Sequence, residues 1–462
     1  MERFKKLFGA VDMTVGEPWK QIVMFTIPML IGNIAQQLYN TVDTIVVGKY
    51  VGDNALSAVG SAGPILNLLL VLFMGISMGA SIMVAQYFGA KQREELSHTI
   101  GNCISLTAIA VGIVMIVSVI VVRPLLEILK TPDSIIGWCE SYLLILFLGS
   151  IGSAYYNILS GVLRGLGDAV SALVYLLVAT GINIVLDLVF VAKLGMGVSG
   201  VAWATIIAQA VSAILCFMRL AKLTDLFDLK PKYLKLSRKY SGSMIKLGLP
   251  SGLTQAIFSM AMVVVQSLTN SFGEAFIAAN VIVMRVDGFA MLPNFSFGTA
   301  MTTYAGQNVG ARDMNRVIKG AKQGTAIAVL TSATLTGVIL LFGKGLMGIF
   351  SDTTELVNLS YQMMCIIAVG YIAMAVTQSL SGVMRGAGDT MTPMWISLLT
   401  TVAVRVPIAY GLAYFTRSAQ FPNGRQESVF ISLLCAWVLG ALITTFFYLR
   451  GKWKKKAFQQ FD

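Results

Sequence analysis

Ser160-Gly-Val-Leu-Arg-Gly-Leu-Gly-Asp168 and Ser381-Gly-Val-Met-Arg-Gly-Ala-Gly-Asp389 are one motif written twice, identical at seven of nine positions and displaced by 221 residues. A second motif keeps that displacement: Gln86-Tyr-Phe-Gly-Ala-Lys91 faces Gln307-Asn-Val-Gly-Ala-Arg312, and Gly52 faces Gly273. Pro28 faces Pro250 at 222. Two motifs sharing one offset mark an internal duplication. The fold follows from what lies between the copies.

That intervening sequence is apolar. Hydrophobic residues make up 56% of the 462 and charged residues only 12%, a balance that does not furnish a soluble surface. A membrane-spanning helix needs about 20 mostly apolar residues. Twelve such stretches are bounded by charge, Gly or Pro, six in each copy. Six is even, so the two halves share one orientation. Closed barrels, the other spanning architecture, read as alternating strands of about 10 residues, and nothing here alternates that way. The first stretch, residues 19–48, is too long for a signal peptide and is expected to be retained.

The expected fold class is therefore an all-α membrane protein, with twelve transmembrane helices in two parallel-repeat six-helix lobes around a central cavity. The lobes are expected over residues 1–223 and 241–450, joined by a basic linker, 224–240, and followed by a basic tail, 451–462. No soluble domain is expected. Five cysteines lie within apolar stretches without paired spacing or His neighbours, as packing residues do.

The net charge of +12 reflects topology rather than nucleic-acid binding, because the basic residues lie between spans. With both termini cytoplasmic, 25 Lys and Arg fall on inner segments and seven on outer loops. The positive-inside rule thus places a multi-pass protein in the inner cell membrane with both termini in the cytoplasm. The repeated motifs then belong at cytoplasmic helix ends. Their glycines read as turn residues, and Arg164, Asp168, Arg385 and Asp389 as groups that bond freed carbonyls and amides across the turn or meet lobe to lobe as a gate.

Ionisable residues inside spans mark ion or substrate pathways. Asp43 lies six residues before the outer Lys49, and Asp187 six before the outer Lys193. At 1.5 Å per residue both carboxylates sit roughly 9 Å below the outer lysines. Asn183 lies one helical turn from Asp187, and Thr205 in the sixth span reaches a similar level. Two carboxylates, an amide and a hydroxyl form a hard-oxygen set that suits Na⁺. They equally suit a proton, because two nearby carboxylates in low dielectric do not both ionise cheaply. Their alternative role is to tie neighbouring helices together.

Asp287 in the eighth span and Arg405 in the eleventh both fall near mid-membrane, where they either pair with each other or leave Asp287 to contact substrate. Arg285, two residues from Asp287, points elsewhere on a helix. Met260, Met284 and Met291 are flexible side chains suited to a cavity for varied ligands, or to apolar packing. Pro28 and Pro250 should each bend the first helix of a lobe and serve as hinges. No phosphate-binding Gly-x-x-x-x-Gly-Lys-Ser/Thr motif occurs, and the protein is not expected to be an enzyme.

Together, Pro28 with Asn40-Thr-Val-Asp43-Thr, the Gln86–Lys91 motif and its copy, and the twin Arg-Gly-x-Gly-Asp turns resemble the multidrug and toxic compound extrusion (MATE) family across essentially the whole chain. Asp43, Asn183, Asp187 and Thr205 are similar to the cation site of its DinF-like branch, and Asn157 matches a further member of that network. The NorM-like branch carries acids in its seventh and tenth spans, and this chain has none in 248–272 or 362–384. Displacing Asp187 by 221 lands on Ile408, and displacing Asp43 lands on Val264, so the second lobe lacks the pair. The resemblance implies a monomeric antiporter that exports an organic, often cationic, compound by alternating access. Its only cofactor would be the coupling ion, H⁺ or Na⁺. A lipid-linked saccharide flippase shares this architecture but should line its cavity with several basic residues, and only Arg285 and Arg405 are available. A channel would not require the duplication.

Overall fold

The structure is a computed structural model that describes residues 10–128 and 131–457. Arg3, Lys5, Lys6, Lys130 and the last five residues of the tail lie outside these segments. Among the described residues all regular structure is helical. In lipid each backbone amide must be bonded within its own segment, and long apolar runs satisfy this as helices. In the first half α1 spans Pro18–Tyr50, α2 Asp53–Gly89, α3 Arg93–Ile128, α4 Asp133–Leu148, α5 Ser150–Gly165, α6 Ala169–Asp187 and α7 Gly197–Ala221. In the second, α8 spans Arg238–Asn270, α9 Glu274–Ala290, α10 Leu292–Gly310, α11 Met314–Gly348, α12 Thr354–Ala368, α13 Gly370–Gly386, α14 Met391–Leu398, α15 Arg405–Phe415 and α16 Ser428–Arg450. A short α17, Lys452–Lys456, follows.

Nine spans in the described residues are long and apolar enough to cross a bilayer, and two bent pairs, α4–α5 (51°) and α12–α13 (43°), make eleven. The 37-residue α2 is the twelfth. The bends fall at Gly149 and at Val369–Gly370. A side chain at Gly149 would strike Ile206, and one at Gly370 would strike Trp437, so each bend is packed beneath a large neighbour.

Compact packing divides the chain into two units, and the divisions fall inside helices. Pro28–Gly252 forms the body of the N unit, whereas Met13–Ile27 groups with the residues from Leu253 onward as the C unit. The chain thus changes unit within α1 at Pro28, and within α8 two residues after Pro250. Each unit also anchors the segment leading into its borrowed half-helix. In the C unit, the Met13 amide donates to Gln307 Oε1 (2.8 Å) and Arg316 donates to the Val15 carbonyl (2.9 Å). In the N unit, Ser105 donates to the Leu234 carbonyl (2.6 Å), and the Ser237 amide donates to Asn102 Oδ1 (2.6 Å). Arg93 bonds Asp228 at 3.0 Å and holds that carboxyl below the usual aspartate range.

The repeated motifs have repeated geometry. Positive φ occurs at Gly52 and Gly273 (107° and 93°), at Lys91 and Arg312 (56° and 59°), and at Gly167 and Gly388 (83° and 89°). Every pair is 221 residues apart. Only the last glycine of each Arg-Gly-x-Gly-Asp serves the turn, however. Gly161 and Gly165 pack α5 against Ser77 and Ser81 of α2, while Gly382 and Gly386 pack α13 against Gly298 and Thr302 of α10. These are small-residue faces that let helix backbones approach closely. Turn flexibility therefore accounts for one glycine of the motif, and helix packing for two.

The motif aspartates accept amides in the first turns of the following helices. The Ser171 amide donates to Asp168 (3.0 Å) and the Thr392 amide to Asp389 (3.3 Å). Each also takes a cation from beyond the motif: Arg219 at 3.0 Å from Asp168, and Lys456 at 2.9 Å from Asp389. Arg164 instead donates to Ser160 Oγ, 3.3 Å away on its own helix.

Candidate functional site

In the N unit, α1 supplies Tyr39 and Asp43, four residues apart on one face, and α6 supplies Asn183 and Asp187 with the same spacing. Asn183 and Asp187 are completely buried and Tyr39 nearly so. The Asp43 and Asp187 carboxyls are close enough to interact electrostatically. Thr205 of α7 brings its hydroxyl beside that of Tyr39, and Tyr142 of α4 stands near both acids. Immediately after Asp187 the helix widens into a π turn, Leu188–Lys193. Such turns break the regular ladder, and they occur often at functional sites.

The group is notable for what its atoms lack. Tyr39 Oη, Asp43 Oδ1, both Asn183 amide atoms, both Asp187 oxygens and Thr205 Oγ1 are buried without a hydrogen-bond partner among the described residues. An unsatisfied buried polar group costs about 1–3 kcal/mol, and more when charged. Seven in one cluster therefore call for a bound species. Two facing carboxylates ringed by neutral oxygens attract a small cation, and no third His, Cys, Asp or Glu joins them among the described residues.

Of the residues expected in this cluster, the structure brings together Asp43, Asn183, Asp187 and Thr205. Asn157 is bonded elsewhere, donating to the Ser153 carbonyl at 2.8 Å. Tyr39 is the member that sequence reasoning missed, although its spacing of four from Asp43 carries the signal.

The C unit is different. Asp287 of α9 accepts the Tyr371 hydroxyl at 2.9 Å, one residue past the bend between α12 and α13. That bend exposes carbonyls which other helices cap: Thr336 donates to Ala368 (2.7 Å) and Asn294 to Tyr371 (3.3 Å). Arg405 feels the charge of Asp287 but forms no salt bridge with it, since none of its nitrogens lies within 4.0 Å of an Asp287 oxygen. Tyr371 has taken the place expected for Arg405. Met291 is buried in the C unit's core and Met284 packs against that core, whereas Met260 is 68% exposed. Arg285 is exposed.

A duplicated bundle of twelve membrane-spanning helices with a cluster of unpartnered acids and oxygens in one half has the make-up of a membrane transporter. The particular family follows from the sequence: residues 28–189 and again 250–411 match the MatE family, and the chain belongs to it. The two matches reproduce the duplication. Among its relatives, the probable multidrug resistance protein YpnP of Bacillus subtilis is 28% identical, covering 96% of this chain and 98% of that protein. The probable multidrug resistance protein YoeA of the same organism is 27% identical over 95% of both chains. A solved MOP superfamily transporter from Pyrococcus furiosus has the same fold, with a TM-score of 0.89 at 24% identity over 97% of this chain and 98% of the other.

Proposed function

We propose that this multi-pass transporter is an antiporter in which a proton entering the Asp43–Asp187 pair from outside drives export, by alternating access, of an organic compound that carries a cationic group. Its place is the inner cell membrane, as a monomer with both termini in the cytoplasm. The observation that carries the coupling role is the cluster of seven buried, unpartnered polar atoms around two facing carboxyls. Two neighbouring carboxylates in low dielectric do not both ionise cheaply, which favours H⁺. Na⁺, held by Asp43, Asp187, Asn183 and Thr205, is the second reading, favoured by the neutral oxygens that ring the pair. Whichever ion enters must bind one conformation better than the other, because only differential affinity shifts an equilibrium. The acids lie on α1 and α6, and α1 changes unit at Pro28, so ion binding acts directly on a helix that belongs to both units. Exposed Met260 and half-buried Asp287 are the groups assigned to the exported compound.

The test is efflux of a fluorescent organic cation from proteoliposomes with a proton or a sodium gradient imposed separately. Asp43→Asn and Asp187→Asn should each lower gradient-driven efflux about tenfold or more, the loss expected when a charged ligand worth roughly 1.5–3 kcal/mol is removed. Efflux by either variant at the wild-type rate under both gradients would remove the acid pair from the coupling mechanism.

A further inference from the structure

The C unit carries a buried arginine, Arg405, that no side chain among the described residues pairs with. Arg405 is 7% exposed and its Nε is buried without a partner; among the described residues the side chain makes no hydrogen bond and no ion pair. Arg presents five donors in a planar fork that matches a carboxylate, and a buried charge left unpaired is costly. Its nearest acid, Asp287, is already engaged by the Tyr371 hydroxyl.

The position of Arg405 within the duplication adds to this. The turn motifs are displaced by 221 residues, and Ser171 and Thr392, whose amides donate to the motif aspartates, keep that offset. Between Thr392 and Arg405 the helix passes through a π turn, Leu399–Val404. A π turn inserts one residue into the helical register. The displacement beyond it becomes 222. At 222, Arg405 occupies the position of Asn183, and Ala409, buried in the apolar core, occupies that of Asp187. Where the N unit offers oxygens to a cation, the C unit therefore offers a fixed cation.

We infer that Arg405 is a carboxylate-binding site of the C unit and that it receives the acid group of an amphoteric transported compound, whose amine lies toward Asp287. Charge balance supports an amphoteric ligand over a simple anion: Asp287 and Arg405 sum to zero, and only a ligand that also sums to zero leaves the low-dielectric site neutral. This assignment rests on Asp287 facing the exported compound and not on the coupling ion of the N unit.

The decisive measurement uses the full chain purified in detergent, without any gradient, so its outcome is independent of the antiport reading. The probes are rhodamine B, which carries a carboxylate beside its cationic ring system, and its ethyl ester, which does not; binding is read by fluorescence anisotropy. The wild-type protein should hold the acid at least about tenfold more tightly than the ester, the contribution of a charge-assisted bidentate pair. Arg405→Gln should bring the affinity for the acid down to that for the ester. Arg405→Lys, which keeps the charge and loses the fork, should fall in between. Equal binding of acid and ester by the wild-type protein would overturn the assignment, as would an acid preference that survives in Arg405→Gln. Loss of ester binding in both variants would make Arg405 a structural residue and would equally overturn it.

Discussion

The twin motif aspartates share a sequence and a capping role but not an energy. Asp168 caps α6 and pairs with Arg219, whose side chain is 20% exposed. Removing one partner of such a pair costs about 3–5 kcal/mol where it is buried, and a lost cap about 1 kcal/mol more. Asp389 pairs with Lys456, which is 45% exposed, so solvent screens most of that attraction and the cap is what remains. Asp168→Ala should therefore lower the thermal midpoint of the purified protein well below that of Asp389→Ala, and Asp168→Asn should fall between them. Equal midpoints for the two alanine variants would show that Arg219 contributes nothing to the fold. The same scale marks what the sequence could tell of the site. Counting from Lys49 and Lys193 puts Asp43 and Asp187 at one level, and the structure brings their carboxyls together. Tyr371 escaped notice because it sits beside a bend, where helical spacing no longer predicts neighbours. Asp287 accepts the Tyr371 hydroxyl and forms no ion pair with Arg405, the partner that sequence depth suggested.

At the scale of the helix, the repeat is a packing device as much as a turn. A β-carbon at Gly382 would run into the Gly298 carbonyl of α10, whereas one at Gly161 meets mainly the Ser77 hydroxyl, a group that can rotate. Backbone cannot yield as a side chain can. Overpacking costs about 1–3 kcal/mol where the neighbour is fixed. Gly382→Ala should accordingly lower the thermal midpoint more than Gly161→Ala, although the two glycines hold equivalent places in the motif. A larger drop for Gly161→Ala would contradict the assignment of these contacts. The spans themselves were legible because lipid permits few alternatives: a long apolar run between charges has to be a helix. The bends at Gly149 and Val369 and the π turns after Asp187 and before Arg405 were not legible. They depend on packing against Ile206 and Trp437, or on one inserted residue, and leave no periodic trace in the chain.

For the whole molecule, the two helices that change unit matter most. Sequence alone drew the boundary between the halves in the linker at 224–240, where polarity rises. Compact packing instead moves it into α1 at Pro28 and into α8 just past Pro250. Each proline removes an amide and crowds the carbonyl one turn earlier, a defect worth about 3 kcal/mol inside a helix. A stable bundle would not need two such defects at matching places, but the alternating access proposed above gains from shared helices already weakened where they leave one unit for the other. Pro28→Ala restores the amide and stiffens α1 below the level of Asp43. It should raise the thermal midpoint while lowering gradient-driven efflux several-fold, because the helix that carries the acid can no longer bend as cheaply. Binding of a fluorescent cation in detergent should persist, since no assigned ligand group is lost. The same variant with unchanged efflux, or with a lowered midpoint, would mean that Pro28 plays no hinge role and that ion binding is transmitted through another element.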